Sequence, residues 1–222
     1  MALAGGGAVC IWNDIASEGR DEFYAWHLSE HMPERAAIPG FKRSRRYIAL
    51  DAATKPEFFT LYETATTSVL TGAEYLARLN APTSWTKTAT QAFRNTSRAL
   101  TTVRASVGPG AGGALATMRF AIAAGREQEA VDLIAARALP AAAAVPRIAG
   151  AHLCVTDRNA SASKTAESRD RTDILAAPNW VILLEGCDES CVRTAAENVE
   201  RAIGGLLDGM VIAGFYRFEY QC

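Results

Sequence analysis

Met32-Pro33-Glu34-Arg35-Ala36-Ala37-Ile38-Pro39 is matched 107 residues later by Leu139-Pro140-Ala141-Ala142-Ala143-Ala144-Val145-Pro146, with proline at the second and last positions of both stretches. Further along, Leu61-Tyr62-Glu63 matches Leu183-Leu184-Glu185 once a longer loop is allowed in the second half. The chain therefore reads as one βαββαβ unit written twice. In the first copy, strand patterns cover Ala8 to Asp14, Phe41 to Leu50, Glu57 to Thr64 and Arg98 to Val107. Helical periodicity runs from about Arg20 to Ala37 and from about Ser68 to Asn80. Pro82-Thr83-Ser84 opens a further helix that holds Trp85, where Thr83 or Ser84 can cap free amides.

The second copy repeats the order. Strands are expected over Ala114 to Ala123, Ala151 to Thr156, Trp180 to Cys187 and Val211 to Tyr220, with helices from Arg126 to Ala144 and from Glu189 to Leu207. Gly108-Pro109-Gly110-Ala111-Gly112-Gly113 is the clearest linker, which divides the chain into residues 1–108, a linker at 109–113 and residues 114–222. A polar loop, 157–178, separates the middle strands of the second copy, and its length makes a functional lid one reading of it.

Two strands decide the layering. Phe58-Phe59-Thr60-Leu61-Tyr62 and Trp180-Val181-Ile182-Leu183-Leu184 are apolar at odd and even positions alike, whereas a strand with one wet face alternates. Helices cover only one face in this topology, so the other must be covered by the sheet of the second copy. Two four-stranded antiparallel sheets, packed face to face with helices outside, are the predicted architecture.

The run Glu22-Phe23-Tyr24-Ala25-Trp26-His27, then Glu30-His31-Met32-Pro33-Glu34-Arg35 and Pro39-Gly40-Phe41, resembles the His-x-Pro and Pro-Gly pattern of the dimeric α/β-barrel superfamily. That superfamily includes EthD-like proteins, stress-responsive barrel proteins and antibiotic-biosynthesis monooxygenases. The resemblance implies an α+β fold of ferredoxin-like repeats, here as a tandem duplication that forms an intrachain α/β barrel. Members ordinarily build the barrel from two chains, and their activities range from cofactor-free oxygenation and isomerisation to haem chemistry.

Composition narrows the partners. The chain has 222 residues, 49% of them hydrophobic, and a net charge of −1, which offers no electrostatic handle for nucleic acid or an anionic membrane. Five cysteines, Cys10, Cys154, Cys187, Cys191 and Cys222, form neither a zinc nor a redox motif and read as free intracellular thiols. With no signal-peptide pattern at the start, a cytoplasmic protein is expected.

The two copies differ most on one helix face. Val131, Ile134, Ala135, Ala138, Leu139 and Ala142 recur with the spacing of a buried stripe, and the first copy places Tyr24, His27, Leu28, His31, Met32 and Arg35 there. Polar side chains on a face that should be oily must meet partners, water or a ligand, because burying them alone costs several kcal/mol. His31, at the His-x-Pro position, is the candidate base or proton relay, and His27 shares its face. Arg35, Tyr62, Trp12, Asn13, Arg45 and Trp85 are the candidate substrate-binding residues, Arg45 because Lys42 to Arg46 packs four cations into a strand that points to both faces. Phe23 and Trp26 fall outside the stripe, and as exposed aromatics they predict a homo-oligomer contact.

The bland alternative makes both histidines satisfied core groups, paired with Tyr62, Glu63 or carbonyls. A metal held by the His27 and His31 pair with Glu34 is a further option, although Glu30 is misplaced for a zinc-protease motif. His152 is expected to be structural. The favoured function is binding, and turnover, of a small, largely apolar organic molecule with a polar or acidic group, with no cofactor, in a pocket of a few hundred Å³ beside His31. A non-enzymatic stress-associated or interaction protein and a haem-binding oxygenase relative are the alternatives.

Overall fold

Eight strands and their covering helices follow the order that the repeat predicts. The computed structural model describes residues 3–163, 165–168 and 173–222. The first half comprises β1 (Gly7–Ile15), α1 (Arg20–Trp26), a π-helical turn (His27–His31), α2 (Met32–Ala36), β2 (Phe41–Ala49), β3 (Phe58–Thr64), α3 (Ala73–Asn80), α4 (Ser84–Ala89) and β4 (Phe93–Val107). The second comprises β5 (Ala114–Phe120), α5 (Glu127–Leu133), a second π-helical turn (Ile134–Ala138), α6 (Leu139–Ala143), β6 (Ile148–Thr156), α7 (Arg158–Ala162), β7 (Trp180–Gly186), α8 (Glu189–Ile203) and β8 (Ile212–Gln221). Part of the loop at 157–178, namely residues 164 and 169–172, lies outside the described residues.

Each half contributes four antiparallel strands, and β2 pairs β8 while β4 pairs β6. The result is one closed barrel in the order β1-β3-β2-β8-β5-β7-β6-β4. Every residue of β3 and β7 is buried, as their two-faced apolar pattern requires. Alternation sends Phe59 and Leu61 inward, against Trp12, Tyr47, Leu115, Leu183 and Tyr216. Tyr62 and Phe58 point outward, to the helices. Strand β4 starts at Phe93, five residues earlier than the apolar pattern indicates, because a bulge in β4 between Arg94 and Ser97 lets Phe93 and Arg94 pair on with Ile15 and Asp14 of β1.

The matching prolines explain the matching π turns. Pro33 has no amide hydrogen, and its ring would collide with the carbonyl four residues back in a regular α-helix. The helix widens instead, so that the Met32 amide donates to the His27 carbonyl, five residues back. Pro140 does the same in the second half, where the Leu139 amide donates to the Ile134 carbonyl.

The second helix of each half is where the copies part. In the second half α8 is a continuous 15-residue helix, opened by the Asp188 carboxylate accepting from the Cys191 amide at 3.1 Å. Its first-half counterpart is broken: a 3₁₀ turn covers Thr67–Thr71, Gly72 is extended, and α3 stops before Pro82. The Thr83 hydroxyl then caps α4 by accepting from the Thr86 amide at 2.9 Å. Three short pieces cover the first sheet less completely than one long helix covers the second.

Candidate functional site

The π turn places its two end residues on the same side of the helix, facing the sheet. The His27 and His31 rings stack with centroids 5.5 Å apart. His31 also lies 4.3 Å from the Trp26 ring and edge-on to Tyr62 at 6.4 Å. His27, His31 and Arg35 are all buried, with Met32 fully so. Leu28, expected on the same stripe, is 45% exposed. The wider turn rotates it out, a correction that follows from Pro33.

His27 is held from two sides, with Phe23 stacked on its ring at 5.0 Å and Arg46 Nη1 3.3 Å from its Nδ1. A guanidinium has no acceptor, so Nδ1 must carry the lone pair and Nε2 the proton. Burial, reinforced by the Arg46 charge, pushes the His27 pKa well below the usual histidine value, so this imidazole stays neutral. Arg46 in turn donates to Glu219 at 3.0 Å.

A cavity of about 50 Å³ opens between this helix and the sheet. Asn13, Trp26, His27, His31, Arg35 and Tyr62 line it, together with Ile11, Tyr75, Arg98, Thr96, Phe93 and Glu167. The space beside His31 is thus far smaller than the few hundred Å³ that the pocket reading predicts. The larger volume lies one layer further out, where about 610 Å³ is bounded by Pro82, Thr86, Lys87, Thr90 and Arg94, and again by Phe93, Thr96 and Glu167. Three buried polar atoms at the inner cavity lack a hydrogen-bond partner among the described residues: Tyr62 Oη, Arg35 Nη1 and Thr96 Oγ1. Desolvating the Tyr62 phenol raises its pKa, so it remains a hydroxyl donor.

Of the sequence candidates, His31, His27, Arg35, Tyr62 and Asn13 come together here, and three do not. Trp12 and Arg45 have the opposite strand parity and face the barrel interior. There the Trp12 indole donates to Thr117 at 3.1 Å and lies under the Arg119 guanidinium. Arg45 is clamped between Glu63 at 2.8 Å and Glu185 at 2.5 Å. Trp85 points away from the cavity, and its indole donates to Glu22. Phe23 and Trp26 are 1% exposed, covered by α4 and Phe93, which removes the exposed-aromatic argument for a homo-oligomer. The Trp26 indole donates to Thr86 at 3.1 Å.

Arg46, Arg98 and Glu167 are the functional candidates that sequence reasoning missed. Parity in β2 identifies Arg46: once Arg45 faces inward, its neighbour must face the helix. Glu167 carries no signal, because it sits in an irregular loop of the other repeat. The Glu34 carboxylate, offered as a third metal ligand, pairs with Arg78 at 3.2 Å instead. Among the described residues no three His, Cys, Asp or Glu side chains gather as a metal site requires.

No protein-family model matches the chain, and no curated protein matches it in sequence. Solved structures do resemble it. An anthrone oxidase-like protein superposes with a TM-score of 0.65 at 10% identity, covering 97% of this chain and 92% of the other. A ferredoxin-fold protein from Listeria monocytogenes, described as related to antibiotic biosynthesis monooxygenases, gives 0.51 at 11% identity over 98% and 97%. A haem-binding protein from Thermus thermophilus gives 0.56 at 10% identity over 97% and 92%. The chain shares the ferredoxin-like α/β-barrel fold of these structures. In this α/β barrel both halves belong to one chain, so the pocket-bearing half and its apolar counterpart are free to diverge.

The haem-binding likeness prompts a fit test. A porphyrin does not fit the 50 Å³ beside His31, and the His27 Nδ1 lone pair already accepts from Arg46. In this arrangement neither the space beside His31 nor the His27 Nδ1 nitrogen accommodates a porphyrin. Among the described residues no helix is long and apolar enough to cross a membrane.

Proposed function

We propose that the chain binds and turns over a small, largely apolar organic molecule in the first repeat, where the inner cavity adjoins the larger pocket beyond Glu167, by cofactor-free oxygenase or isomerase chemistry. The observation that carries this reading is the pair of stacked imidazoles in a π turn whose counterpart holds Ile134 and Ala138. His31 acts as base or proton relay toward an acidic C–H or O–H of the substrate. His27 supplies a neutral N–H donor, Arg35 a fixed charge and Tyr62 a hydroxyl, and together they orient the developing anion. Trp26 and Phe93 give the apolar walls that exclude water.

The anthrone oxidase-like neighbour supplies a first substrate to test. Anthrone and O₂ give anthraquinone and water: the base takes a proton from C10, the electron-rich anion meets oxygen, and loss of water forms the second carbonyl. Oxygen uptake with anthrone is expected to exceed the uncatalysed rate, and His31→Ala to lower the catalysed rate by about 10²-fold. His31→Ala with the melting temperature of the parent and the same oxygen uptake overturns the assignment of His31. A protein that neither accelerates this oxidation nor isomerises related phenols belongs with the non-enzymatic reading, which the small inner cavity favours.

A further inference from the structure

Glu167 divides the inner cavity from the outer pocket, since it is one of three residues lining both. It reaches there from the second repeat. Its amide donates to the Leu79 carbonyl at 3.0 Å, at the end of α3, and the Ala166 amide donates to Asn80 Oδ1 at 3.1 Å. The Glu167 carboxylate accepts from Arg35 Nη2. That contact fills one side of a buried guanidinium, while Nη1, 3.6 Å from the half-buried Glu34 carboxylate, makes no hydrogen bond among the described residues.

We propose that the Glu167 carboxylate stands in the place of a ligand's own acidic group, and that the site takes planar aromatic carboxylates. This rests on the reading of the inner cavity as a small-molecule site and names the class of molecule. Several observations converge on it. Arg35 sits at the cavity with its guanidinium buried, a geometry suited to two parallel bonds with a carboxylate, and Glu167 Oε2 takes only one of its ends. Tyr62 is 2% exposed and lines the same cavity, and its hydroxyl has no partner among the described residues, so it is a second donor for an acidic oxygen. Arg98, which donates to the Tyr75 hydroxyl at 2.8 Å, adds another cation to the lining.

Charge around the cavity favours an anion over a neutral guest. Burial opposes the charge on Arg35, yet Glu167, then Tyr75 and Tyr62, outweigh it, and its pKa is raised. Arg35, Arg78 and Arg98 face two carboxylates, Glu34 and Glu167. A ligand carboxylate that takes Arg35 from Glu167 returns the displaced side chain toward the outer pocket, where Lys87 and Arg94 outnumber Asp173. With Glu167 turned aside the two spaces join, and their volume falls in the range of ordinary ligand sites. The ring then lies against Trp26 and Phe93, with His31 beside it.

The test compares two probes that differ in charge alone, 2-naphthoate and 2-naphthamide, titrated calorimetrically against the parent and Glu167→Gln. Glutamine keeps the shape and the backbone contacts but no longer competes for Arg35. Glu167→Gln is expected to tighten 2-naphthoate by about tenfold or more and to leave 2-naphthamide within about twofold. Arg35→Gln should abolish the gain when combined with Glu167→Gln, and a melting curve reports whether that double variant is folded. If it is not, the Glu167→Gln comparison decides alone.

Equal effects on both probes make Glu167 a plug without charge selectivity and overturn the proposal. So does an unchanged affinity for 2-naphthoate, or a failure of both probes to bind either protein. Binding of 2-naphthamide alone removes the acid preference while leaving the small-molecule cavity in place. The anthrone assay with His31→Ala decides that broader reading independently.

Discussion

In the first repeat the π turn carries His27 and His31 at its two ends, with Met32 and Arg35 following. In the second the same turn carries Ile134 and Ala138, with Leu139 and Ala142 following. The backbone is common to both, since Pro33 and Pro140 widen the helix at the same place. The second face is dry: Ile134, Ala138, Leu139 and Ala142 are buried among Val192, Ala195 and Val199 of α8. The first has a broken covering helix, a cavity and, among the described residues, three polar atoms without a hydrogen-bond partner: Tyr62 Oη, Arg35 Nη1 and Thr96 Oγ1. One copy holds the packed apolar solution and the other does not, and this asymmetry is what supports the proposal that function lies in the first copy.

The barrel interior tells the opposite story, because there the two copies act jointly. Arg45 and His152 occupy matching positions of β2 and β6, and Glu63 and Glu185 match in β3 and β7. Arg45 bridges both carboxylates, Arg43 adds a second bond to Glu63 at 2.7 Å, and His152 lies 3.5 Å from Glu185 with its other nitrogen 2.8 Å from Ser106. Burial alone would raise the Glu185 carboxyl, but contacts with His152 and Arg45 prevail and bring its pKa down to about 2. The largest expected effect follows. Arg45→Met leaves two buried carboxylates facing each other and should cost about 3–5 kcal/mol in urea unfolding. A loss under about 1 kcal/mol would mean that Arg43 and His152 satisfy the acids unaided, and that the copies are less coupled than the geometry indicates.

A reciprocal exchange on the helix faces sharpens the comparison at a smaller scale. Ala138→His forces an imidazole into a packed apolar seam with no partner and should cost about 2–4 kcal/mol. His27→Ile gives the first repeat the residue its counterpart tolerates. Arg46 keeps Glu219 at 3.0 Å, so the change should stay within about 1 kcal/mol. Equal costs for the two exchanges would show that both faces accommodate histidine, and the asymmetry argument would fail.

Much of this contrast is legible in the order of residues alone. The repeat, the doubly apolar strands and the pattern of polar residues on an oily stripe carry enough to place His27, His31 and Arg35 on the buried face. Strand parity is what the sequence leaves ambiguous: Lys42 to Arg46 reads as cations on both faces, and nothing local says whether Arg45 or Arg46 turns to the helix. A bulge in β2 between Phe41 and Arg43, and one in β8 opposite Arg46 and Tyr47, shift the register that would settle it. Trp12 is misplaced for the same reason, one residue from Asn13, which does reach the cavity. Glu167 is out of reach for another: its contact with Arg35 spans the two repeats through irregular chain, and no periodicity encodes it. The burial of Phe23 and Trp26 depends on α4, a short helix whose docking no amphipathic pattern announces.

The most graded test of the first repeat is its acid response. His27 has Arg46 against Nδ1, Phe23 on its face and His31 stacked beside it, and its pKa is held well below the ordinary histidine value near 6.5. In the unfolded chain the same imidazole takes up a proton as pH falls through that value, while in the folded chain it does not. The unfolded state then binds more protons, so stability is fully present above about pH 6.5 and declines below it, by up to about 1.4 kcal/mol per pH unit until the folded group titrates. His27→Ile removes that term and should flatten the decline between about pH 6.5 and 5, before the carboxylates begin to contribute. Urea midpoints measured at a few pH values in this window, for the parent and His27→Ile, give the difference directly. Parallel pH profiles would show that the protonated imidazole is as well accommodated as the neutral one, and that this face is wet enough to resemble solvent.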